Sequence, residues 1–246
     1  MIVLYILGGF ALLLILYVLF LGACTLPVSP DKTYEKSSPF YRFLLEHTTA
    51  VALKLLRIRV HVSGAEQLPG SEKILFVSNH RSNFDPLITW CVLKKWKIAF
   101  VSKPENFKIP FFGRIIRKCC FLPIDRENPR NAMVTIYKAA NLLKTQEVSI
   151  GIYPEGTRSK SGQLLPFHNG VFKIAQRAEA PIAVLSITGT EQITKRTPFR
   201  ATDVYLDVLA VLPVTNETST KQVGAAVRRL IETNIERRER TWQKDM

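Results

Sequence analysis

Residues 1–30 contain no lysine, arginine, aspartate, glutamate or histidine. A run of that length with no polar face does not suit a helix buried in a soluble domain. With no basic start and too long an apolar core, it does not suit a cleaved signal peptide either. Cysteine is scarce: Cys24, Cys91, Cys119 and Cys120 show no C-x-x-C spacing. That removes the usual zinc and dithiol patterns and leaves reduced, packed thiols in a cytosol-facing protein as the reading. The chain has no G-x-S-x-G elbow, no Walker loop and no dinucleotide glycine pattern, so serine-hydrolase, P-loop and nicotinamide chemistry lose their main marks. No helix-turn-helix or RNA-binding signature occurs, and nucleic acid is not an expected partner. There is no internal repeat and no low-complexity tract.

What the sequence does have is size, apolar content and positive charge. Its 246 residues suffice for one sizeable domain plus an attachment. With 47% apolar and 22% charged residues it is expected to fold. The formal net charge of +14 belongs wholly to residues 31–246. That excess calls for an anionic partner: nucleic acid, an anionic membrane surface or a phosphorylated substrate.

The run from Met1 to Ala23 is long enough to cross a hydrocarbon core of roughly 30 Å. Pro27 and Pro30 end it, and Lys32, Lys36 and Arg42 follow. Positive flanks stay in the cytosol, so the rest of the chain is expected on that side of a membrane. Residues 40–58 carry Phe40, Phe43, Leu44, Val51, Leu55 and Ile58 at helical spacing among charges. They read either as an amphipathic helix at the membrane interface or as a helix packed on the soluble domain. Paired with the first helix, the segment also permits a re-entrant hairpin. The expected division is a membrane-embedded segment over residues 1–59 and a catalytic α/β domain over residues 60–246.

From Val60 onward short apolar runs alternate with amphipathic stretches. Strands are predicted at residues 74–77, 98–102, 121–124, 148–153, 182–187 and 204–211, and helices at 86–94, 110–118, 130–144, 169–179 and 221–238. Such alternation predicts an α/β fold with a mostly parallel central sheet flanked by helices. Ligands of such sheets bind beyond the carboxyl ends of the strands.

Chemistry-bearing residues fall at those ends. After the first strand comes Ser78-Asn79-His80-Arg81-Ser82-Asn83-Phe84-Asp85-Pro86. Asp before Pro predicts a helix N-cap at Asp85, with His80 in irregular backbone upstream. A loop that curls back lets one Asp85 oxygen take the Nδ1 proton of His80 while the other caps the helix, leaving Nε2 as a general base. Lys103 follows the next strand, and Asp125-Arg126 the one after. Tyr153-Pro154-Glu155-Gly156-Thr157-Arg158-Ser159 follows a fourth. There Gly156 permits close backbone approach, Arg158 offers a fork suited to phosphate, and Thr157 adds a hydroxyl. Glu155 has two readings: it orients Arg158, or it accepts from a substrate hydroxyl. Asp125 is expected to direct Arg126. With no nucleophilic side chain in an activating context, the simplest chemistry is removal of a proton from a substrate hydroxyl.

The segment Asn79-His80-Arg81-Ser82-Asn83-Phe84-Asp85 resembles the His-x-x-x-x-Asp signature of glycerolipid acyltransferases. Residues 121–126 resemble that family's second block, residues 153–159 its third, and Ala180-Pro181-Ile182-Ala183-Val184 its fourth, in order over about residues 60–210. The chain is similar to the 1-acyl-sn-glycerol-3-phosphate acyltransferase family. Two positions depart from the pattern: Ala183, where a second proline is frequent, and Phe167-His168-Asn169-Gly170, where Phe-Lys-Lys-Gly is commoner. The resemblance implies a membrane enzyme converting lysophosphatidic acid to phosphatidic acid, with His80 and Asp85 catalytic. It implies that Arg126, Glu155, Gly156, Thr157 and Arg158 bind the acceptor, with Lys103 or loop amides at the oxyanion. No metal or redox cofactor is implied, and acyl-CoA or acyl carrier protein serves as co-substrate. Two alternatives stand beside it: the same chemistry on another lysophospholipid or on glycerol 3-phosphate, and a non-enzymatic basic membrane protein.

Overall fold

The computed structural model describes residues 1–70 and 73–244. Among them a seven-stranded sheet is formed by β1 (Ile58–Ser63), β2 (Leu75–Ser78), β3 (Ala99–Ser102), β4 (Leu122–Pro123), β5 (Ile150–Ile152), β6 (Ile182–Thr188) and β7 (Thr202–Leu212). The spatial order is β1-β7-β6-β2-β5-β3-β4. All neighbours are parallel except β6 and β7, which run antiparallel with a register shift at Val184/Leu185. The central strands are buried on both sides, every residue of β2, β5 and β6 being buried. This is why they read as unbroken apolar runs rather than as alternating ones.

The α/β architecture is the one the alternation predicts, and each predicted strand is present. The strand it missed is β1, which lies at the edge and is mostly exposed. The sequence reading carried the second helix through Ile58. That helix stops at Leu55, Arg57 takes a positive φ of 56°, and the chain turns into β1. The predicted helix at 169–179 is a 3-10 turn, Asn169–Phe172, followed by a short α-helix.

The helices are α1 (Ile2–Thr25), α2 (Pro39–Leu55), α3 (Phe84–Val92), α4 (Phe112–Lys118), α5 (Pro129–Lys144), α6 (Lys173–Ala178), α7 (Ile193–Arg196) and α8 (Thr220–Lys244). Helix α5 shows the local logic. Asn128 accepts from the amides of Arg130 and Asn131, Pro129 occupies the first turn, and Ile136, Ala139, Ala140 and Leu143 turn inward.

Helix α1 is long and apolar enough to cross a membrane. It lies beside α2: the Tyr17 and Thr48 hydroxyls are 2.6 Å apart, and Tyr41 donates to the Cys24 carbonyl at 2.7 Å. As one partner advances along α1 the other retreats along α2, so the two run antiparallel. Helix α2 has two apolar faces. Tyr41, Leu44, Leu45 and Leu53 join the core, whereas Phe40, Phe43, Val51 and Leu55 remain open. Arg42 fastens the inner face. It is 6% exposed and donates to the carbonyls of Ile98 (2.6 Å) and Cys119 (2.9 Å).

Arg42→Leu keeps the bulk but strands two buried carbonyls, each worth about 1–3 kcal/mol. A drop of roughly 2–5 kcal/mol in unfolding free energy is expected in a denaturant titration of the solubilised chain.

Candidate active site

Five adjacent parallel strands, β6-β2-β5-β3-β4, end on one edge. They deliver Thr190, His80, the 153–159 turn, Lys103 and Arg126 in that spatial order. At about 4.8 Å per strand, β4 stands three steps, or roughly 14 Å, from β2. The 153–159 turn is the immediate neighbour of His80.

Asp85 is fully buried. Its Oδ2 lies 2.7 Å from His80 Nδ1 and accepts from the backbone amides of Arg81 and Ser82, each at 2.7 Å. Its Oδ1 accepts from the Thr190 hydroxyl at 2.6 Å. The predicted contact between His80 and Asp85 is present, but Asp85 is not the N-cap. That position belongs to Asn83, and Asp85 sits in the first turn. The carboxylate turns back to the amides of its own upstream loop, because that geometry also brings it to the imidazole.

The loop is held from several directions. Asn79 is fully buried and makes a two-way bridge to β6, donating to the Ile187 carbonyl at 2.8 Å and accepting from the Ile187 amide at 2.9 Å. The Ser159 amide donates to the His80 carbonyl at 2.8 Å. Arg81 donates to the Gly162 carbonyl at 2.5 Å and pairs with Glu191 and Glu239 at 3.8 and 3.3 Å. The His80 ring lies flat on Tyr153, with centroids 4.2 Å apart, and Tyr153 in turn stacks on Phe100. Burial of the phenol, with the Asp85 charge second, pushes the Tyr153 pKa well up, so its ring stays neutral.

Glu155 is 3% exposed, and both its oxygens are occupied. Oε1 accepts from the His80 amide at 2.7 Å and Oε2 from the Leu165 amide at 2.8 Å. This matches neither sequence reading, since it faces backbone rather than Arg158 or open space. Burial pushes its pKa up, opposed by the two amides and by the nearby His80 and Arg81.

Gly156 adopts a φ of +69°, and a β-carbon there would lie 3.1 Å from the His168 ring. The positive φ favours glycine, and the close His168 ring adds to the cost of a side chain there. Thr157 and Arg158 are exposed, as are Lys103 and Arg126. Asp125 does not direct Arg126. It accepts from the amides of Glu127 and Asn128 and from the Asn131 side chain, so it shapes the turn into α5. Partial desolvation lowers the Arg126 pKa, with Glu105 opposing.

The sequence reading missed Thr190, the clamp by Asn79 and the Arg81 ion pairs. Among the described residues no group of three or more His, Cys, Asp or Glu side chains is placed to hold a metal. The buried thiols of Cys119 and Cys120 are pushed up to about 12 by desolvation, which keeps them protonated.

A buried carboxylate thus holds an imidazole at the carboxyl edge of the sheet, with cationic side chains exposed along the same edge. Residues 59–188 match the family model described as "Acyltransferase". The 1-acyl-sn-glycerol-3-phosphate acyltransferase alpha of Mus musculus is 30% identical over 198 residues, covering 80% of this chain and 68% of that protein. The enzyme of the same name from Limnanthes douglasii is 28% identical over 163 residues, 66% of this chain, and there the match spans only 57% of the relative's length. The crystal structure of the 1-acyl-sn-glycerophosphate (LPA) acyltransferase PlsC from Thermotoga maritima superposes with a TM-score of 0.68 at 25% identity, covering 80% of this chain and 79% of that one. The chain therefore belongs to the acyltransferase family, among the relatives of the 1-acyl-sn-glycerol-3-phosphate acyltransferases.

Glu155→Gln has one acceptor oxygen for two amide donors. Loss of about 1–3 kcal/mol of stability, together with slower turnover, is expected from parallel denaturation and activity measurements. Unchanged values in both would show that Glu155 does not hold the His80 loop.

Proposed function

We propose that the protein is a membrane-bound acyltransferase that moves a fatty acyl group from an acyl thioester to the sn-2 hydroxyl of 1-acyl-glycerol 3-phosphate, giving phosphatidic acid. The observation that carries this reading is the 2.7 Å contact between His80 and the fully buried Asp85 at the carboxyl edge of the sheet. His80 Nε2 takes the hydroxyl proton, and Asp85 steadies the imidazolium that forms. The alkoxide adds to the thioester carbonyl, and the tetrahedral intermediate collapses with loss of the thiolate. The imidazolium then gives the proton to the leaving thiolate, which departs as the thiol. No acyl-enzyme is formed.

Arg158, in the turn next to His80, binds the acceptor's phosphate together with Thr157 and the Gly156 backbone. Arg126, farther along the edge, is the second guanidinium for the acceptor's phosphate, and Lys103 or loop amides stabilise the developing oxyanion. Acyl-CoA or acyl carrier protein supplies the thioester. The α1–α2 pair, with its open apolar faces, is the membrane-embedded part, and the sheet domain faces the cytosol.

His80→Ala and Asp85→Asn are each expected to slow acyl transfer by roughly 10²- to 10⁴-fold with the protein still folded. Near-normal rates in either variant, in the same membranes, would remove the dyad from the mechanism. Arg158→Ala is expected to raise the KM for lysophosphatidic acid about 10- to 100-fold, the loss of one charged hydrogen bond. An unchanged KM would take Arg158 out of acceptor binding.

A further inference from the structure

A cavity of about 910 Å³ lies between the last turns of α1 and the segment that runs from Pro104 into α4. Its α1 wall is apolar, formed by Val18, Leu19, Gly22 and Leu26, and is continuous with the open apolar surface of α1. The facing wall carries three cations, Lys108, Arg114 and Arg117, against a single carboxylate, Asp31. Arg114 and Arg117 are three residues apart on α4 and so share one face. Arg114 donates to the Thr25 carbonyl at 3.1 Å, which ties α4 to the end of α1. Arg117 lies 5.0 Å from the centre of the Phe107 ring, and its Nε is buried with no hydrogen-bond partner. Desolvation lowers the Arg117 pKa, and Asp31 opposes this without forming an ion pair among the described residues. A guanidinium in a partly dry setting with no carboxylate paired to it is costly until an anion meets its charge.

We propose that this cavity binds an anionic glycerophospholipid, with its phosphate on Arg117, Arg114 and Lys108 and its acyl chains along α1. The proposal rests on the reading of α1 as membrane-embedded. Charge sets the headgroup, because three cations against one carboxylate leave an excess that a zwitterionic lipid does not neutralise. The apolar wall sets the rest, because a free phosphate would leave it wet. The volume falls within the roughly 300–1,000 Å³ of ordinary ligand sites, room for a headgroup and the upper parts of the chains. The site is separate from the one that carries out acyl transfer. Its lining reaches Pro104 and Pro123 at the ends of β3 and β4 but includes none of His80, Asp85, Glu155 or Arg158.

The test uses the purified full chain. Flotation with phosphatidylcholine vesicles first checks the membrane reading, and a chain that fails to float removes that reading and this site with it. Native mass spectrometry then follows retention of lipid from equimolar phosphatidylglycerol and phosphatidylcholine. A preference of about tenfold or more for the anionic lipid is expected. It should fall severalfold in Arg117→Gln and also in Lys108→Gln, whose side chain is exposed and whose change does not threaten folding. It should persist in millimolar inorganic phosphate and in Arg158→Ala. For a chain that floats, equal retention of the two lipids overturns the proposal. So does a preference untouched by both the Arg117 and Lys108 changes, one displaced by inorganic phosphate, or one abolished by Arg158→Ala.

Discussion

The carboxylate of Asp85, shut away from solvent, needs every lone pair answered, and four donors answer it: an imidazole, two loop amides and a threonine hydroxyl. A buried carboxylate without such partners would cost several kcal/mol or would pick up a proton. Meeting that demand fixes the path of residues 80–85, and the path fixes the imidazole. The rest of the site supports the same loop. Asn79 pins it to β6, Glu155 holds its amide, Ser159 holds its carbonyl, and Tyr153 supplies the flat surface against the ring. A polar network this well satisfied is rigid, and rigidity to within an ångström is what the general-base role proposed for His80 demands.

Much of the fold was legible because its buried parallel strands are short, branched, apolar runs punctuated by proline, glycine and charge. Residues 58–63 were not legible. Alternating Ile, Arg, Val and His there reads equally as the tail of a helix, and the strand exists only because β7 pairs with it from 144 residues away, as Arg59 and Asp203 do. The dyad was legible from spacing, but the cap was misplaced. Asp-Pro suits the first turn as well as the N-cap, and loop amides proved better partners than helix amides. Glu155 was misjudged because an acidic residue three places before an arginine suggests an ion pair. Burial makes backbone amides the more urgent claim.

Which strand ends become neighbours was beyond the sequence. Chain order puts Lys103 and Arg126 nearer to His80 than Arg158, but the sheet inserts β5 beside β2 and reverses that. The pairing of α1 with α2 was similarly open, since it depends on two hydroxyls, Tyr17 and Tyr41, that resemble ordinary interfacial tyrosines. The positive charge divides in the fold. Arg42 and Arg81 are consumed internally, whereas Lys103, Arg126 and Arg158 stay open along one edge.

Thr190 and Glu239, which complete the hold on Asp85 and Arg81, lie 105 and 158 residues beyond them. Helix α1 leaves the ribosome well before either of these groups. Domains assemble as synthesis proceeds, so a nascent chain has its apolar helix in place long before its imidazole is locked. The contacts that hold Asp85 and Arg81 are therefore complete only once Thr190 and Glu239 have both been made.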